Sequence, residues 1–234
     1  MRMKLAALAL GIGLGSIFTL CADDVVFTRA NLTAAIENSR SGAGPDVIGW
    51  SKKGRMAYVD YVQAPEPDGR ADVFVGVIDL ITDTVIYHRK CGRVDGGLSN
   101  GLTLSSSSIG AAAARLNRLA VYYAPTAKRR FPVILEDEVI TLAITEEPAG
   151  GAAGKSTLTL AWTRERAKLT KRFRTTLTGP CTIGDEEGGV WYYRSPYEDR
   201  IAVAYHAGTY REGDAIVRRG DNGFIGCNLG VGFK

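Results

Sequence analysis

The sequence predicts a β-rich α+β fold: antiparallel, sandwich-like sheets in a single domain with one helix, around 107–120, packed against them. Three observations carry this prediction. Short runs of β-branched and aromatic residues alternate with polar ones from residue 47 to the end of the chain; Gly, Pro and charged turns divide them; and a single stretch shows strong helical spacing.

The chain opens MRMKLAALALGIGLGSIFTLCADD, with Arg2 and Lys4 ahead of an apolar run at 5–20 and small residues around Cys21 and Ala22. This is the pattern of a secretory signal peptide, assigned to 1–22, which leaves 23–234 as one β-rich domain. The run is short and broken by Gly11, Gly13 and Gly15, and no later segment reaches the roughly 20 apolar residues of a membrane-spanning helix. The expected destination is the periplasm. Cys21 leaves a lipid-anchored alternative, against which stands the bulky Leu20 before it. The terminal NLGVGFK leaves an outer-membrane barrel alternative, against which stand the final Lys234 and the helix.

Asn31 to Arg40 reads as a short helix and 41–46 as a loop. VIGWS (47–51), KKG and RMAYVDYV (55–62) form a hairpin; DVFVGVIDL (72–80), ITD and TVIYHRK (84–90) form a second. The Gly- and Asn-rich CGRVDGGLSNGLT is read as irregular. In the stretch that follows, Ile109, Ala112, Ala113, Leu116, Leu119 and Ala120 recur at helical spacing, serines offer N-caps and Pro125 lies beyond the end. Strands are expected at 139–145, 156–163, 171–178, 189–195, 200–208 and 224–233. Trp50, Tyr58, Phe74 and Trp162 are the expected core anchors, because large aromatics in strand runs are usually buried.

Composition excludes several functions. Once Arg2 and Lys4 leave with the signal, 27 basic side chains face 25 acidic ones, too even a balance for a nucleic-acid footprint. Cys91, Cys181 and Cys227 contain no C-x-x-C, and His88 and His206 are the only histidines, which argues against a zinc cage. In an oxidising compartment Cys181 with Cys227 is the preferred disulfide candidate; three buried small apolar side chains are the competing reading.

AGGAAGKS at 149–156 fits a relaxed phosphate-binding loop. Such a loop works only where a strand passes into a helix N-terminus, so that backbone N–H groups converge on phosphate. Here Leu158, Leu160 and Trp162 alternate with Thr157, Thr159 and Ala161, a period of two, so the glycines are read as a hairpin tip and nucleotide binding is rejected. No cofactor is expected.

A hydrolase using His206 is the enzymatic alternative; Ser99, Ser105 and Ser195 are among the available hydroxyls. The acids at 136–138, at Glu146 and Glu147, and at 185–187 read as solvated turns. TRERAKLTKRFRTT (163–176) places Arg172 and Arg174 on one side of a strand, with Arg164, Arg166 and Lys168 in the turn before it. These five form a possible anionic-ligand face; a charge-protected edge strand is the competing reading.

The run IGWSKKGRMAYVDYV followed by VFVGVIDLITDTVI resembles one blade of the propeller repeats in periplasmic proteins similar to TolB. With the Ala- and Arg-bearing helix and the closing IAVAYHAGTYREGD, the chain also resembles a family of predicted secreted bacterial proteins of unknown function. Neither resemblance implies a catalytic residue. The function expected is a non-catalytic binding or structural module of the cell envelope, its partner another envelope protein, a glycan or a lipid headgroup.

Overall fold

The computed structural model describes residues 24–39, 45–63, 70–95, 101–136, 138–148, 155–166, 168–178, 191–206, 210–212, 215–218 and 222–233. Residues 1–22, read above as a signal peptide, the glycine run 149–154, Cys181 and the acids at 185–187 lie outside them.

The first half comprises α1 (Arg29–Asn38), β1 (Asp46–Trp50), β2 (Arg55–Gln63), β3 (Ala71–Asp79), β4 (Thr84–Val94), β5 (Leu102–Leu104), α2 (Ser106–Arg118) and β6 (Tyr122–Tyr123). The second comprises β7 (Val133–Ile134), β8 (Val139–Pro148), β9 (Lys155–Arg164), β10 (Leu169–Thr178), β11 (Trp191–Arg194), β12 (Arg200–His206), β13 (Tyr210–Glu212), β14 (Ala215–Arg218) and β15 (Asn222–Asn228). Every pairing is antiparallel. A first sheet runs β5-β4-β3-β2-β1-β6, a central sheet β11-β12-β15 and an outer sheet β10-β9-β8-β7, while β13 and β14 form a separate ribbon. The fold is mainly β, as the alternation implies.

Three apolar clusters place the layers. Leu32, Ile36, Ile109, Ala112 and Leu116 of the helices pack on Val59, Val73, Val75 and Val77 of the first sheet. On that sheet's other face, Trp50, Met56, Tyr58 and Ile78 meet Trp191, Tyr193, Ala202, Ala204 and Phe224 of the central sheet. The opposite face of the central sheet sends Tyr192, Ile201, Val203, Ile225 and Cys227 against Val133, Ile140 and Trp162. The order is helices, first sheet, central sheet, outer sheet. The central strands are covered on both sides, which is why Ile201, Ala202, Val203 and Ala204 form an unbroken apolar run.

The structure revises several expectations. Two helices pack on the first sheet, not one. The first starts at Arg29 because Thr28 and Asn31 cap each other: Asn31 N–H donates to Thr28 Oγ1 at 3.2 Å and Thr28 N–H to Asn31 Oδ1 at 2.8 Å. Helix α2 stops at Arg118, and Ala120 takes φ 52 and turns the chain so that β6 runs along β1. The segment expected to be irregular contributes the end of β4 and all of β5; Gly92 makes this possible, since any Cβ there would strike the Thr103 carbonyl oxygen of the adjoining strand. Trp50, Tyr58 and Trp162 are buried, but Phe74 is only half-buried and stacks on the exposed His88, ring centroids 4.4 Å apart. It lies on the strand beyond Gly76, past the part of the first sheet that the central sheet covers.

The first and central sheets are joined through the β3–β4 turn. Asp83, at φ 53, accepts the Gly226 N–H of β15 at 2.6 Å, and the guanidinium of the buried Arg200 donates to the Leu80 carbonyl at 3.1 Å. Burial pushes the Asp83 carboxyl above its ordinary value of 3.8, against the opposing pull of the Gly226 N–H, Lys171 and Arg200. Since the folded value is the higher one, protonation favours the fold; this increment is complete below pH 3.8 and is lost as pH rises through the folded value. Asp83→Ala should lower unfolding stability at pH 7 by about 1–3 kcal/mol, by leaving the half-buried Gly226 N–H without its acceptor. Asp83→Asn retains an acceptor and tolerates the left-handed backbone, so it should lose less and show a flatter stability profile between pH 7 and pH 4 in urea denaturation.

Candidate functional site: the basic corner of the outer sheet

Strands β9 and β10 are ten residues each and pair without a bulge from Leu169↔Arg164 to Thr178↔Lys155. Strand β9 also pairs with β8, from Ile140↔Arg164 to Pro148↔Ser156. Lys155 thus opens a strand held between two antiparallel neighbours. The chain after the glycine tip is extended, not helical, and offers no helix N-terminus to a phosphate.

Alternation sorts the side chains of this hairpin. Trp162 is fully buried and Phe173 packs toward the same cluster, so residues of their parity face the central sheet. Arg164, two residues beyond Trp162, shares that side and is not in the turn. Its Nε donates to Glu138 Oε2 at 2.6 Å, its Nη2 closes on the same oxygen, and its guanidinium lies 5.6 Å from the Phe233 ring centroid. Glu138 is itself buried, at 8 % exposure, so the reading of all these acids as solvated turns fails at this position. The Glu138–Arg164 pair closes the edge of the outer sheet's inner face.

The remaining cations lie elsewhere. Arg166 and Lys168 are exposed in the β9–β10 turn, and Arg172 is exposed on β10, on the side away from Trp162. Arg174 occupies the register position opposite Thr159, two residues along β10 from Arg172. Lys168 has φ 54. A non-glycine residue in the left-handed region costs roughly 1–2 kcal/mol, so a cation is held here where glycine would relieve the backbone. Lys171, which sequence parity did not single out, lies beside Gly232 and near enough to Asp83 to lower its pKa.

The other candidate chemistries do not converge. The His88 ring neighbours are Phe74 and Tyr58, and His206 sits at the end of β12 opposite Asn222. Among the described residues no serine or cysteine is hydrogen-bonded to His88. Ser105 caps α2 and Ser195 accepts the Tyr197 N–H at 3.2 Å; Ser99 lies outside the described residues. Cys227 is buried in the central sheet, and burial pushes its thiol up to about 11, so it is neutral at pH 7; Cys91 is buried under α2 with a thiol raised to about 11 for the same reason. The described residues contain no cluster of three His, Cys, Asp or Glu side chains that could hold a metal ion, and no helix among them is long and apolar enough to cross a membrane. No protein-family model, curated protein or solved structure matches the chain.

If the Glu138–Arg164 pair is structural, Glu138→Ala leaves a half-buried guanidinium without its carboxylate and should lower stability by about 1–3 kcal/mol in chemical denaturation. Glu138→Gln should lose less. A change below about 0.5 kcal/mol for Glu138→Ala would show that the pair does not hold this edge.

Proposed function

We propose that this protein is an exported, non-catalytic binding module of the cell envelope that takes an anionic partner on the basic corner of its outer sheet. The observation that carries this reading is the left-handed Lys168 at a hairpin tip, with Arg166 exposed beside it and Arg172 exposed on the adjoining strand. Backbone strain kept at a charged, exposed position supports a functional reading of this turn. The corner stands on a hairpin whose inner face is anchored by Trp162 and by the Glu138–Arg164 pair, so its charges are presented from a rigid base. Export is supported by the N-terminal pattern of Arg2 and Lys4 before the apolar run at 5–20.

The test uses heparin as a polyanionic probe. The mature chain should bind it with an affinity that falls as salt rises from 0.05 to 0.5 M, because the screening length of exposed charges shrinks from about 14 Å to about 4 Å over that range. Replacing Arg166, Lys168 and Arg172 by Glu should weaken binding by at least about tenfold, equivalent to about 1.4 kcal/mol, with unfolding stability unchanged. Equal binding by the charge-reversed protein would remove the basic corner from consideration.

A further inference from the structure

Strand β10 is the outermost strand of its sheet, in the order β10-β9-β8-β7. Among the described residues no backbone hydrogen bond joins its outer edge to any other segment. The strand is ten residues long, has no proline, and pairs with β9 in unbroken register. Natural sheets blunt such an edge with a bulge, a proline, a short strand or charged side chains, since an open row of N–H and C=O groups recruits another strand. Of these devices β10 carries only charge. What distinguishes the edge is charge: residues 164–174 contain six basic side chains and one acid, Glu165.

That charge selects among occupants. A second copy docking β10 against β10 would bring the Arg172 and Arg174 positions of both chains together on one face and Lys171 on the other, and like charges on adjacent strands are unfavourable. An extended segment rich in Asp or Glu meets the opposite situation: its backbone completes the ladder, and its carboxylates lie beside Arg172 and the turn cations. We infer that the edge of β10 is a docking site for an acidic, extended polypeptide segment, added as a fifth strand to the outer sheet. Main-chain hydrogen bonds supply the affinity, and the basic corner supplies the selection for acidic sequence. This inference rests on the anionic-partner reading above and narrows it to a polypeptide bound in the extended form.

The experiment titrates the mature protein into a fluorescent, alternating Val-Glu peptide of about ten residues and follows anisotropy. Three companion probes are an alternating Val-Gln peptide, the Val-Glu peptide N-methylated at alternate residues, and heparin. N-methylation removes backbone donors along one edge and leaves the charge intact. The inference expects the Val-Glu peptide to bind at least about tenfold more tightly than either peptide control. It also expects slowed hydrogen exchange along residues 169–178 on binding, and loss of both effects in the Arg172→Glu, Arg174→Glu variant. Equal binding of the N-methylated peptide would overturn strand addition while leaving the anionic-partner reading intact. Equal binding of the Val-Gln peptide would overturn selection for acid. Heparin binding without peptide binding would likewise sink the strand mode alone, whereas failure of both probes would remove the two readings together.

Discussion

The contact on which the other layers depend is the seating of the β3–β4 turn against Gly226. The Leu80 carbonyl lies so close to the Gly226 Cα that a single added carbon would overlap it. Around this point the two sheets exchange polar groups: Asp83 takes the Gly226 N–H and Arg200 holds the Leu80 carbonyl, while within the first sheet Leu80 N–H donates to the Gly54 carbonyl at 2.8 Å. Two apolar faces could slide over one another at little expense. A backbone-to-backbone approach bounded by a carboxylate and a guanidinium fixes one alignment.

From that alignment the rest follows outward. With the first sheet seated, Trp50, Met56 and Tyr58 close over Tyr193 and Phe224, and the hydroxyl of Tyr193 reaches the Pro45 carbonyl at 2.8 Å. Burial pushes the Tyr58 hydroxyl up to about 12, so it remains neutral inside this layer. The reverse face of the central sheet then presents Ile201, Val203 and Ile225 to Trp162, which positions the β9–β10 hairpin. The basic corner is the far end of this chain of supports. Its inner side is held by Trp162, Phe173 and the Glu138–Arg164 pair, while Arg166, Lys168 and Arg172 are exposed.

Much of the architecture was legible in period-two alternation, because an antiparallel strand with one covered face writes that face into every second residue. The strand after Lys155 was readable for this reason, as was the α2 face formed by Ile109, Ala112, Ala113 and Leu116, all of which are buried. Alternation says nothing about which sheet covers which. Phe74 has the parity of Ile78 on β3, but lies past the extent of the covering layer, and no local pattern encodes where a distant sheet ends. Arg164 reads as a turn residue from its place in the charge run, although its parity with Trp162 sets it on the inner side; parity gives the side, and only the fold supplies Glu138 as its partner. The Gly226 contact had no local signature, since FIGCN reads as a strand with a glycine and its partner Leu80 lies far away in sequence. The cations were visible as a cluster, and only the three-dimensional arrangement separated Arg164 and Lys171 from Arg166, Lys168 and Arg172.

The most direct measurement of the central claim compares thermal unfolding of Gly226→Ala with that of Gly230→Ala. Both glycines lie in the same C-terminal segment, but a Cβ at Gly230 would meet only Asn228 Oδ1 at an ordinary 3.5 Å. The account predicts that Gly226→Ala lowers stability by roughly 3 kcal/mol or more, or abolishes cooperative unfolding, whereas Gly230→Ala stays within about 1 kcal/mol of the parent. Unfolding of Gly226→Ala indistinguishable from that of Gly230→Ala would contradict the account, because the β3–β4 turn would then not be what aligns the sheets.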